Sequence, residues 1–188
     1  MPSFASTRLV NPPGVEPVLS VQQVWRGLQR KAREPKRFVP AISECRVHRE
    51  EGNKVRGRSS TTYERNGGGT TDLLPEVRFG DGTPEMREEI TAFDNCIVYF
   101  ETTSASLPAR PDSDPDLETD PHRTRITNTI SHGPENELFL TFTFAPRMPH
   151  LSDDKAAQMT DEEINAVVGN GVQQTVDVIR EMVRAGEL

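Results

Sequence analysis

Three polar side chains fall among apolar neighbours at strand spacing, and each has a chemistry that such surroundings would sharpen. Glu88 alternates with Met86, Ile90 and Ala92. Turned inward it would be desolvated, which raises a carboxyl pKa into the range useful for a general acid or base. Asn128 lies between Ile126 and Ile130 and can orient a carbonyl or hydroxyl. Tyr63 shares its face with Val55 and can donate to a developing oxyanion. Each residue also has a plain structural use. Glu88 can pair with Arg58 or Arg78 across a sheet, Asn128 can satisfy backbone at a bulge, and Tyr63 can be a rim residue. Other constellations fail: there is no GxSxG elbow, no phosphate-binding glycine loop and no HExxH. His48, His122, His132 and His150 are dispersed, and Cys45 and Cys96 lack metal-type spacing. Neither a metal nor an organic cofactor is expected.

The elements that must position these groups are legible from periodicity. Thr160 with Glu163 forms a capping box, and Gly186 is a C-terminal stop. Between them Ile164, Val168, Gly171, Thr175, Ile179 and Met182 recur at three- or four-residue spacing, a stripe widened by Val167, Val172, Val176, Val178 and Val183. A helix this long with one broad apolar face must lie across something. Gly169 and Gly171 interrupt it at about 1 kcal/mol each relative to alanine. They mark either close packing or a bend, or else an opening beneath the helix for a ligand.

Before this helix the chain alternates. A strand over 3–10 ends at Asn11-Pro12-Pro13-Gly14. Ser20 caps a helix over 21–33 with Val21, Val24, Trp25 and Leu28 on one face. Its basic residues read as a solvated face. Pro35 ends it, and a short helical turn follows over 36–39. Strands are expected over 43–49, 54–65, 76–79, 86–93, 95–102, 122–131 and 137–145, the first two joined by a turn at Glu51-Gly52-Asn53. The stretches 65–75 and 104–121 read as flexible insertions, the second rich in proline and acids but without the glycine turn of a calcium loop. Strand parity groups Leu138, Leu140, Phe142 and Phe144, then Ile126, Asn128 and Ile130, then Cys96, Val98 and Phe100.

With 188 residues and a net charge of -7, the chain is read as one domain over 1–188, with neither nucleic acid nor a membrane surface as partner. No apolar run approaches a membrane span. The expectation is a cytoplasmic protein with reduced, buried cysteines, monomeric or homodimeric. The architecture expected is α+β: an antiparallel sheet of about seven strands curved around a long C-terminal helix, with two short helices after the first strand.

That order resembles the helix-grip superfamily of START domains, the birch-pollen allergen and polyketide aromatase/cyclases, often called SRPBCC. NPPG at 11–14 and LSVQQVWRGLQRKAREPKRFVPAISEC after it, then MREEITAF and RITNTISHGPENELFLTFTF, are similar to the AtaL-like family, named after protein L of a fungal acetylaranotin biosynthesis cluster. The similarity spans nearly the whole chain, while the two insertions depart from a shorter family core. The family has no catalytic signature to carry over. The resemblance implies a cavity between sheet and long helix, tied to secondary metabolism, with a hydrophobic small molecule as ligand or substrate. Val98, Phe100, Ile126, Leu140, Phe142, Val168, Gly171, Val172 and Thr175 are the expected lining. Glu88, Asn128 and Tyr63 are the expected catalytic groups. The expected chemistry is cofactor-free cyclisation, isomerisation or dehydration; the rival is a carrier that only shields its ligand, and a third reading is a protein-interaction module using the acidic insertion.

Overall fold

The computed structural model describes residues 3–52, 71–79, 86–104, 124–145 and 157–188. The elements are β1 (Phe4–Leu9), α1 (Val21–Arg33), α2 (Pro35–Phe38), β2 (Ile42–Gly52), β3 (Thr71–Phe79), β4 (Met86–Phe93), β5 (Ile97–Ser104), β6 (Thr124–His132), β7 (Leu138–Ala145) and α3 (Asp161–Arg184). The strands form one antiparallel sheet in the order β1-β7-β6-β5-β4-β3-β2. Because β1 joins beside β7, the chain's first and last strands meet, and α3 lies over that edge against β1 and β7. The helix α1 covers β6 and reaches β3, and α2 packs on β2. This is the expected α+β helix grip.

The helix ends form for the reasons their residues suggest. Thr160 Oγ1 accepts from the Glu163 backbone N–H (3.2 Å), and Glu163 Oε2 accepts from the Thr160 N–H (2.8 Å). Ser20 and Gln23 make the same reciprocal box at α1 (3.2 and 2.9 Å). Gly186, at φ +72°, lets the chain fold back so that the Glu187 N–H reaches the Met182 carbonyl and the Gly186 N–H reaches that of Val183.

The core is built from alternate strand residues and the facing helix stripes. Ile90, Val98, Phe100, Ile130, Leu140 and Phe142 from the sheet meet Val24, Trp25, Leu28, Val168, Val172, Val176, Ile179 and Met182 from the helices. At Gly27, α1 passes so close to α3 that an added Cβ would overlap the Ile179 side chain. Gly169 is a second close approach: the Arg8 guanidinium lies against it while donating to Ser6 Oγ (2.9 Å), Asn165 Oδ1 (3.1 Å) and the Asn165 carbonyl (3.2 Å). That network ties the edge strand to the first turns of α3.

Several expectations are corrected. The strand that pairs with β2 is Thr71–Phe79, so Glu51 and Gly52 continue β2 instead of turning; the strand expected over 54–65 lies outside the described residues. The strand expected from 76 starts at Thr71, inside the stretch read as an insertion. Val167 is 52% exposed, off the apolar stripe. Cys96 belongs to the turn before β5 and is exposed rather than buried. Among the described residues no helix is long and apolar enough to cross a membrane.

Two carboxylates give the fold an acid dependence. Glu163 is held below the usual carboxylate range by the Thr160 backbone N–H and then its hydroxyl; Glu187 is held there by its hydrogen bonds from Arg37 and by that residue's charge. Because both folded values are lowered, their contribution is complete above the unfolded value, roughly 4.3, and is lost as pH falls through the folded values. Thermal melts should be flat from neutral pH to mild acid and fall below about pH 4.3. In Glu187→Gln the fall should be shallower; an unchanged slope would remove the Arg37 pair from this account.

Candidate active site

The register assembles a polar cluster in the middle of the apolar sheet face. One cross-strand row runs Ala92, Val98, Asn128, Phe142 and Ser6, and the next runs Ile90, Phe100, Ile126, Phe144 and Phe4. Asn128 is 0% exposed. Its Oδ1 accepts a hydrogen bond from Lys31 Nζ at 3.0 Å. Lys31, on α1, is 7% exposed, and its ammonium stands 3.8 Å from the centroid of the Phe142 ring and 5.7 Å from that of Phe100. Among the described residues the Asn128 amide nitrogen finds no hydrogen-bond partner, and neither does the hydroxyl of Thr102, which is also 0% exposed. Thr102 is four residues along β5 from Val98, so its hydroxyl is roughly 13 Å further along the sheet than Asn128.

Lys31 is the group that sequence reasoning missed. Its signal was available: Lys31 follows Leu28 by three residues and Val24 by seven, which places it on the buried face of α1 and away from the solvated basic one. Asn128 is buried between Val98 and Phe142 in a regular register, which rules out the bulge role. Glu88 takes the backbone position opposite Thr102, two residues before Ile90 in β4; its side chain is outside the described residues. Tyr63 lies wholly outside them.

Of the expected lining residues, Val98, Phe100, Leu140, Phe142, Val168 and Val172 are buried in the core cluster, with Ile126 half-buried against it. The Thr175 hydroxyl donates back to the Gly171 carbonyl (2.9 Å), which occupies its proton within α3. The two glycines of α3 divide the alternatives between them. Gly169 is a close approach, whereas a Cβ at Gly171 would meet nothing within 4 Å. Gly171→Ala should therefore stabilise the fold by about 0.5–1 kcal/mol through helix propensity. A loss in urea denaturation would instead place unseen packing there.

A separate cleft of about 500 Å³ lies at the sheet edge, between Phe4 and Ala5 of β1 and Met159, Asp161, Ile164 and Asn165 around the start of α3. It is not the Lys31–Asn128 cluster. Strand β7 stands between β1 and the strand that carries Asn128. Among the described residues no group of three His, Cys, Asp or Glu side chains could hold a metal ion.

A helix grip with a buried amide and ammonium on its inner sheet face is the class the geometry defines. Residues 4–186 match the family model described as acetylaranotin biosynthesis cluster protein L, and the chain belongs to that family. No curated protein has a sequence that matches this chain. Similar solved structures include the di-domain aromatase/cyclase StfQ of the steffimycin pathway (11% identity, TM-score 0.49, 98% of this chain). The chain spans about half of StfQ, 52% of its length. Others are the ZhuI aromatase/cyclase of Streptomyces sp. R1128 (14%, TM-score 0.43, 98% of this chain and 95% of that one) and protein MLL2253 of Mesorhizobium loti (13%, TM-score 0.45, 99% of each chain).

Proposed function

We propose that this protein is a cofactor-independent enzyme that cyclises, isomerises or dehydrates a small, largely apolar intermediate of polyketide or peptide origin in secondary-metabolite biosynthesis. The observation that carries this reading is the fully buried Asn128, whose amide nitrogen has no partner among the described residues, in a face of Val98, Phe100, Ile130 and Phe142. Mostly apolar walls with a few placed polar groups are the usual make-up of a small-molecule site. Membership of a family named for a biosynthesis cluster supports the metabolic setting. In this reading Glu88 acts as general acid or base from its position opposite Thr102, and Asn128 and Tyr63 donate to the substrate oxygen.

The first test is native mass spectrometry of protein purified from its own source, expected to retain a small molecule that defines the substrate class. With that compound, Glu88→Gln should bind it and lose turnover. Retention without turnover in the unaltered protein would make it a carrier of a hydrophobic metabolite. If no small apolar molecule binds at all, the reading is wrong.

A further inference from the structure

The Lys31–Asn128 pair has a polarity that dictates what it can bind. A lysine ammonium can only donate, so the Asn128 atom 3.0 Å from Lys31 Nζ must be the amide oxygen. This settles the orientation of the amide and leaves both N–H bonds of Nδ2 to look elsewhere. Among the described residues no acceptor meets them. The flanking residues in the cross-strand row are Val98 and Phe142, whose side chains offer none. An ammonium on the amide oxygen also draws electron density from the nitrogen, which makes its N–H groups stronger donors. The Lys31 ammonium also stands over the Phe142 and Phe100 rings, which favour its place on the inner face.

We propose that Asn128 Nδ2 and Lys31 form a clamp for a ligand oxygen that carries or gains negative charge, namely the oxygen of an enolisable ketone such as a 1,3-dicarbonyl. Asn128 is the donor; Lys31 is a positioning residue that fixes the amide through its hydrogen bond to Oδ1. When a proton leaves the carbon beside the carbonyl for a base, the C–H electron pair becomes the enolate double bond and the carbonyl pair moves onto oxygen. The clamp favours that charge distribution over the neutral ketone. A ligand amine or other donor would meet the Asn128 N–H groups, and is disfavoured. The inference rests on the small-molecule reading above and names the functional group that site would grip.

The test uses the full chain with 1-phenylbutane-1,3-dione as probe, its enolate followed by ultraviolet absorption across pH, and butylbenzene as an uncharged control of similar shape. Bound diketone should show an enolate-to-enol ratio about tenfold higher than free diketone at the same pH, the scale of one hydrogen bond to a charged group. Asn128→Leu and Lys31→Met should return the ratio to its free value while still binding butylbenzene, and Lys31→Arg should restore part of the shift. The double variant, which replaces the pair with apolar groups of similar size, keeps the comparison open if a single variant folds poorly. If butylbenzene binds but the diketone ratio is unshifted, or the shift survives in Asn128→Leu, the clamp is refuted and the small-molecule reading stands. A full shift in Lys31→Met refutes the role of Lys31. If neither compound binds the unaltered protein, both readings fall together.

Discussion

Ile179→Ala should lower the unfolding free energy by about 2–5 kcal/mol, the usual range for truncating a fully buried aliphatic side chain. Ile179 is 0% exposed and lies where α1 and α3 touch at Gly27. Its Cγ and Cδ carbons occupy the volume that a Cβ at residue 27 would need. Gly27→Ala therefore gains about 1 kcal/mol of helix propensity and loses roughly 1–3 kcal/mol to overpacking, a small net loss. Combined, the two changes should not add. The truncated residue 179 vacates the space that the new methyl group fills, so the double variant should be more stable than the sum predicts by about 1 kcal/mol or more. Urea denaturation of the four proteins measures this coupling. Strict additivity would mean the helices simply part at this point, and the close α1–α3 contact would not hold them in register.

The two helices that meet here were readable in the chain, because helix periodicity and capping are local properties, while their contact at Gly27 was not. Thr160 with Glu163, Ser20 and Gly186 mark helix ends within a few residues of themselves. The stripe from Ile164 to Met182 follows from spacing alone. Inner strand faces were legible for the same reason, since parity puts Asn128 with Ile126 and Ile130 whatever strand lies beside it. What was hidden depends on distant partners. Pro75 looks like a strand breaker, yet it lies inside β3 between two neighbours. It pairs with Val47, next to a bulge where β2 spends three residues against two of β3 before Glu50 meets Leu73. Lys31 was grouped with the basic residues around it, although its helical spacing from Val24 and Leu28 assigns it to the buried face. A charged residue is kept in such a place only by partners that spacing cannot reveal: Asn128 is 97 residues away, and Phe142 lies on the strand beyond. The candidate site is thus half legible, its strand half by parity and its helix half only once α1 is laid on β6.

Arg180→Met should cost about 2–4 kcal/mol, an effect of hydrogen bonding more than of charge. Arg180 is 3% exposed and stands on α3 beneath the segment between β1 and α1. Its guanidinium donates to the Val10 carbonyl at 2.5 Å and, more weakly, to the Pro17 carbonyl at 3.4 Å. One rigid fork thus holds two points of a segment that otherwise turns through Asn11-Pro12-Pro13-Gly14, with the Asn11 side chain bridging to both backbone groups of Leu19. Burial lowers the Arg180 pKa, and Asp177 beside it acts in the opposite sense. The guanidinium stays charged at any pH the fold survives. Methionine replaces most of the stem's volume, so the loss would come from the orphaned carbonyls and not from a cavity. Lysine should recover only part of the loss, because its compact ammonium lacks the fixed spacing of donors in the guanidinium fork. Asp177→Asn, by contrast, removes a half-exposed ion pair partner at 3.3 Å and should cost at most about 1 kcal/mol. Urea denaturation gives the energies, and amide exchange at residues 10–19 reports whether that segment loosens first. If Arg180→Met costs no more than Asp177→Asn, the fork is not what anchors the segment. Its place would then fall to the apolar contacts of Val10 and Leu19, both in the core cluster.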